Sequence, residues 1–524
     1  MRDTVTGAPA TIKRYDGPPM LALLLAANLG VSHFTATGPK ACQQKVLEGV
    51  LALHSFVYED ARQAFVEAEE AAPCPIAFWG EAMTYDHPIW GEQDTGRGRA
   101  ALARIPPTAR LSPAERGLIE AARGLYEKDR LEWMIRLGAL HRQLPRDDEV
   151  ALFYALALYA ESGGGSNAVR ANQAADIAEE VFRRNPDHPG AAHYLIHACD
   201  APGVAARALP AARRYAQIAP AAGHALHMPS HIFVQLGMWR EAESSNFAAA
   251  NAGEAAVARR RQPISRADWH SYSWLASVRL ELGKPDEVVP MIERVRALAA
   301  QEKDPALRGV QAELAVKWLS ATHAYARTEE LLTMAPLAAE DEPGYLDTQR
   351  TYEGCHHAPY ELEARLSAAR ARLDGATAEG DEAATATLAE EWNSLRARVA
   401  RQAGSMPMWV QIGKLIAAAK LSQAHSVRVS GDIGDAIAAT RAAADLEDQI
   451  PSRGPAVWTP QREELGELLL RSHRFAEAQE AFAAALKNRP NRLRALEGLL
   501  AAARSAGDPH TADEARDKLS AQVR

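Results

Sequence analysis

Cysteine is scarce. Cys42, Cys74, Cys199 and Cys355 are four in 524 residues, and no two stand in CxxC spacing. A disulfide scaffold is therefore not implied. Long apolar runs are missing as well. None reaches the length needed to cross a bilayer, so neither a spanning helix nor a membrane partner is expected. No alternating run of β-branched residues bounded by turn residues stands out, so sheet is not expected either. Positive charge is not in excess. The formal net charge is −8 and the isoelectric point about 6.1, which argues against nucleic acid, whose binding rests on Lys/Arg–phosphate contacts. The short run Arg259, Arg260, Arg261 reads as a solvated loop. HExxH is absent: Tyr194 follows His193 and Met228 follows His227, so a zincin-type mechanism has no support.

What is present is a rhythm. The chain is long for one compact core, which stops growing at roughly 250–300 residues. An array of repeats escapes that limit because each unit packs only on its neighbours. Tyr58, Ala61, Phe65, Ala68 and Pro73 fall where the second helix of a 34-residue helix–turn–helix unit keeps its consensus residues. Ile76-Ala77-Phe78-Trp79 then opens a further unit. Pro186 and Pro220 are 34 residues apart. Leu236-Gly237-Met238-Trp239 with Ala242 marks a turn that returns at Leu282-Gly283, 46 residues on, and the excess of 12 fits an insertion around Asn251 to Pro263. Phe475, Ala478, Phe482, Ala485 and Pro490 repeat the pattern, and Gly507 and Ala512 begin a last unit. The fold class that follows is all-α: a tetratricopeptide-repeat (TPR)-like α-solenoid, a superhelix of antiparallel helix pairs. The expected organisation is an N-terminal segment over 1–41, repeats over 42–302, irregular helical pairs over 303–452 with a turn or linker at 375–381, and C-terminal repeats over 453–524. Cys42 and Cys74 lie about one repeat apart, which leaves one bridge open.

Histidine is concentrated. Of 17 in the chain, five fall between His193 and His231: His193, His197, His224, His227 and His231. His193 and His197 are four apart and share a helix face, as do His227 and His231. The pairs are offset by 34 residues, member for member, and so occupy equivalent places in adjacent repeats. If the first unit starts at Pro189, a residue type favoured at the first helical position, the pairs sit at places five and nine of the first helix, on the concave face. His224 and, with the insertion discounted, His270 take place two of their repeats. His54 and His87 are expected near the C-terminal ends of the first helices of the first two repeats. Asp200 follows His197 at place twelve. Pro229 allows two readings: a kink that aims His227 and His231, or a helix that starts there and leaves His224 and His227 on a loop. His356-His357 reads as a loop pair.

These motifs, LALHSFVYEDARQAF, AFWGEAMTYDHPIW, NPDHPGAAHYLIHACDAP, IAPAAGHALHMPSHIFVQLGMWREA and AADLEDQIPSRGPAVWTPQREELGELLL, together resemble a bacterial family of large TPR-repeat proteins over most of the chain. The resemblance implies the fold rather than an activity. Its histidine motifs match His54, His87, His193, His197, His224, His227, His231 and His270. Relatives often open with a clear signal peptide. Here the apolar run Met20–Ala27 follows nineteen residues that include Asp3 and Asp16. The expected compartment is the cytoplasm, with periplasm or secretion as the alternative.

Convergent imidazoles on one groove suit Zn, or else Cu or Fe. His193, His197, His227 and His231 are the candidate metal ligands, with His224 and His270 as further ones. Zinc lowers the pKa of a bound water and makes a hydrolytic nucleophile. Asp200, Glu81 or a spare histidine such as His54 would act as base, and His87, Trp269 and Trp274 would wall the pocket. Metal-dependent hydrolysis of a small molecule is expected first. A Cu- or Fe-dependent oxidase or oxygenase is the second reading, and a non-catalytic module gripping a peptide in the groove the third.

Overall fold

A computed structural model of the chain describes residues 29–71, 73–90, 92–332, 360–402, 407–429, 433–450 and 454–523. The run Met20–Ala27, His356-His357 and Cys355 lie outside them. The described residues form a TPR-type α-solenoid, helix following helix from Lys40–His54 to Pro509–Val523. No helix among them is long and apolar enough to cross a membrane.

The repeat consensus has a visible packing cause. The ring of Phe65 is wedged between Gly49 and Gly80 of the flanking helices, where a side-chain carbon on either glycine would overlap it. Phe482 makes the same wedge between Gly466 and Gly498 near the other end. Small residues let the helices cross closely, and the aromatic ring fills what remains. The apolar core passes along the array in sections, one spanning Ala36 to Leu282, a second Ala250 to Ala371, and two more to Ala502.

Helix lengths follow local signals. The insertion around residue 251 is absorbed by lengthening one helix to Trp239–Arg259, with a 3-10 turn at Ile264–Arg266 after it. The irregular stretch holds the long helices Tyr360–Glu379, Glu382–Gln402 and Pro407–Val429. The expected turn at 375–381 narrows to Gly380 and Asp381, and Asp381 caps the next helix by accepting from the Ala384 N–H at 3.0 Å.

One expectation fails. Asp86–His87 and Glu92–Gln93 form a two-stranded antiparallel ribbon. His87 therefore lies on a strand and not near a helix C-terminus. The cause is Pro88, which biases the preceding residue to extended backbone, and the helix Pro75–Met83 has already ended.

The solenoid returns upon itself. The Trp239 indole N–H donates to the Asn491 carbonyl at 2.7 Å, and the Leu493 N–H donates to Glu281 at 2.9 Å. Arg492 pairs with Glu281 and Glu463, and Arg494 donates to the Ser320 carbonyl at 2.8 Å. Gly237, at φ +65, lies against the Pro490 carbonyl where a side chain would collide. The last repeats thus dock on the turns of the central ones.

Cys42 and Cys74 are bridged, with Cα atoms 5.7 Å apart and a sequence separation of 32. The bridge ties the first helix to the start of Pro75–Met83. Cys74→Ala should lower stability by about 2–4 kcal/mol. A thermal melt of the variant beside the oxidised parent checks this, and an unchanged N-terminal transition would show that the bridge is dispensable.

Candidate metal centre

Three inner helices carry the histidines: Pro189–Cys199, Gly223–His227 continuing through Met228 into Pro229–Gln235, and Trp269–Glu281. Each begins at place one of its repeat. His193 and His227 therefore take place five, His197 and His231 place nine, and His224 and His270 place two. The helix is interrupted at Met228 and not begun at Pro229, so the kink is the reading that holds. His224 and His227 are helical.

The six imidazoles gather as two triads. In His193, His197 and His224, and again in His227, His231 and His270, one ligand atom per residue lies within 4.8 Å of the others. The first triad is buried, whereas His231 and His270 are part-exposed. The triads adjoin: His197 and His231 have ring centres 6.2 Å apart, and His224 and His227 6.4 Å.

Hydrogen bonds orient three of the rings. His193 Nδ1 is 2.7 Å from the His54 carbonyl, which sits at the C-terminal end of Lys40–His54 where helix carbonyls lack an internal partner. His227 Nδ1 is 2.8 Å from Asn246 Oδ1. The Asn246 amide is fixed because its nitrogen donates to the Ala242 carbonyl at 2.8 Å. His231 Nδ1 is 2.7 Å from Asp200 Oδ2, and Gln235 donates to the other oxygen at 2.9 Å. A carbonyl, an amide oxygen and a carboxylate can only accept, so each Nδ1 carries a proton, and burial leaves Nε2 of His193 and of His227 with its lone pair. Those Nε2 atoms point inward, 3.0 Å between His193 and His224 and 3.1 Å between His227 and His231.

The walls are aromatic. Phe56 adopts φ +57, unusual for a bulky residue, at the end of the first helix. Its ring lies 4.3 Å from His193 and 5.6 Å from His224, centre to centre. Trp90 stands 6.2 Å from His224. His87 stacks on Tyr58 at 4.0 Å behind it and accepts no place in either triad. Trp274 packs on His231 at 4.4 Å and His227 at 4.9 Å.

Four of the expected residues already have partners. Trp269 is five residues from Trp274, so it points to another helix face. It packs on Tyr272 and donates to the Ile264 carbonyl, away from the histidines. Glu81 is held by Arg104 and Tyr85. Asp200 accepts from His231 at one carboxylate oxygen and from Gln235 at the other. His54 turns its ring into a separate cluster. There its Nε2 donates to Glu149 at 2.6 Å, His188 donates to the same carboxylate at 2.9 Å, and Ser32 joins them. Tyr194 donates to His54 Nδ1 at 2.8 Å and the Gly190 N–H to His188 Nδ1 at 3.1 Å, so both rings are satisfied. Burial opposes the charge on Glu149, but His54 and His188 hold its carboxyl well below the usual range.

Sequence reasoning passed over Phe56, Glu149, His188 and Asn246. Glu149 did carry a signal: it is the second residue of Asp148–Ala160, as His224 and His270 are of their helices. Asn246 was visible as a poor helix former inside a helix. Phe56 gave none.

No family model and no curated protein sequence matches this chain. Solved structures that are similar include the human IFIT1 dimer with m7Gppp-AAAA, at 13% identity over 94% of this chain and 91% of that one with TM-score 0.33. Yeast Tom70 is similar at 13% identity over 93% and 92% with TM-score 0.28, and the P58(IPK) TPR domain at 13% over 76% and 99% with TM-score 0.20. Such likeness concerns the helical-repeat fold alone.

Burial pushes His193 and His227 from 6.5 down to about 3, and His224 is lowered well below its ordinary value by the same cause. Between pH 6.5 and about 3 the unfolded chain therefore binds protons that the folded chain does not. Stability contributed by these groups is complete above 6.5 and falls as pH drops. His193 and His227 alone should give metal-free protein a slope of roughly 3 kcal/mol per pH unit near the middle of that window. Denaturation at stepped pH measures it, and a flat profile between pH 6 and 4 would contradict neutral, buried imidazoles.

Proposed function

We propose that this chain is a metal-dependent enzyme whose ion is held by three histidines on the inner face of the superhelix. The observation that carries the reading is the His227–His231 contact. Both rings give their Nδ1 proton to fixed acceptors, so both Nε2 atoms turn inward and face each other across 3.1 Å. A cation held between the two nitrogens satisfies both at once, and burial disfavours a proton on His227. In a tetrahedral site with Zn–N distances of ~2.0–2.1 Å the ligand nitrogens stand about 3.3–3.4 Å apart, close to what is seen. Three imidazoles also leave the fourth position open, as catalytic zinc sites do.

Hydrolysis of a small molecule is the first reading. Zinc would bring a bound water to a pKa of ~7, so the hydroxide forms without a separate carboxylate base. This suits a site where Asp200 is occupied in orienting His231. Copper- or iron-dependent oxidation is the second reading, favoured by the all-imidazole donor set. The Cys42–Cys74 bridge supports a location outside the reducing cytosol, against the expectation from the N-terminus.

Elemental analysis of purified protein should find a bound transition metal, and adding Zn or Cu to stripped protein should raise its melting temperature. Asp200→Asn should weaken metal binding by roughly 10–100-fold with helicity intact. Protein that holds no metal and gains no stability from it would reduce the groove to a peptide-binding surface.

A further inference from the structure

The two triads are built by one rule. The first takes places five and nine of one inner helix, His193 and His197, and place two of the next, His224. The second takes places five and nine of that next helix, His227 and His231, and place two of the following one, His270. A single coordination motif is thus repeated by the step of the solenoid. The step is short on the inner face: the equivalent rings His197 and His231 are 6.2 Å apart.

The progression also ends where the sequence changes. On Trp269–Glu281, places five and nine are Ser273 and Ser277. Beside them the buried Lys317 ammonium donates to the Ser273 carbonyl at 3.2 Å and to its hydroxyl, and pairs with Glu313 at 2.7 Å. A fixed cation thus replaces the pattern at the third step.

Six donors exceed what one ion takes, since tetrahedral sites use four ligands and catalytic ones three from protein. Neither triad borrows from the other. We infer that the triads hold two ions, one each, forming an adjacent pair about one inner-face step apart rather than alternative positions for a single ion. This rests on the metal-dependent reading and deepens it: a substrate would meet two neighbouring Lewis-acidic centres rather than one. The part-exposed second triad faces incoming ligand, and the buried first triad lies behind it.

The test uses Cu(II) alone on the metal-stripped full chain. Two ions per chain should remain after desalting, and electron paramagnetic resonance should show a half-field transition from the coupled pair. His270→Gln, which alters the part-exposed triad, should retain one tightly held ion and lose the half-field signal while keeping an ordinary mononuclear spectrum. His193→Ala should do the same from the other side; should it lose its helical signal, the His270 variant still decides. One ion per chain at saturation, or two without magnetic interaction, overturns the pair and leaves the metal-dependent reading standing. No retained copper overturns both.

Discussion

Each helix pair here buries most of its apolar side against the pair before it and the pair after it, and the rest of the structure depends on that constraint. It fixes the step between equivalent residues, so any side chain repeated at that step is laid in a row along the inner face. Phe65 between Gly49 and Gly80, and Phe482 between Gly466 and Gly498, keep the step constant by leaving no room for variation. The docking of Asn491, Arg492 and Arg494 onto Trp239, Glu281 and Ser320 then holds the superhelix closed. Neighbouring inner helices bring His224 beside His193 and His270 beside His227.

Orientation is a separate matter from proximity. Buried imidazoles cost free energy unless their polar atoms find partners, and the chain supplies those partners from its frame. The carbonyl that receives His193 is free because the helix Lys40–His54 stops there. Phe56 turns the chain at that stop in a left-handed conformation that L residues with large side chains avoid. The same local break thus provides both the acceptor behind His193 and the ring in front of it. Asp200, ending the helix Pro189–Cys199, does for His231 what His54 does for His193.

Much of this was legible in the sequence because it is periodic. The 34-residue offset of the two HxxxH pairs and the start at Pro189 placed His193, His197, His227 and His231 on one face. Their division into triads was not legible, because it depends on the sideways step from one repeat to the next, which no spacing within a helix encodes. The same limit separates Trp274 from Trp269: both lie near His270 in sequence, but five residues rotate one of them into another core. Asp200 was found by its place in the helix, yet its role is set by Gln235 and His231 on a different helix. The ribbon at His87 was encoded in His87-Pro88, a local signal outweighed by the repeat pattern. The Cys42–Cys74 bridge depends on a Cα separation that repeat spacing alone leaves open.

The cluster of His54, His188 and Glu149 makes the meaning of the two triads sharper. It is as rich in metal-ligating groups and as deeply buried, but its hydrogen bonds are complementary throughout. Each imidazole presents one N–H to the carboxylate and one lone pair to a donor, Tyr194 or the Gly190 N–H. It is a closed network that braces Ser32 and the first helix against the array, and inserting an ion would break bonds already made. At His227 and His231 the reverse holds. Both Nδ1 protons are spent on outward acceptors, and what faces inward is a pair of Nε2 atoms with no donor from the frame between them. Histidine density alone does not distinguish a strut from a metal site. The direction in which each ring spends its proton does, and by that criterion the two kinds of cluster in this chain are opposites.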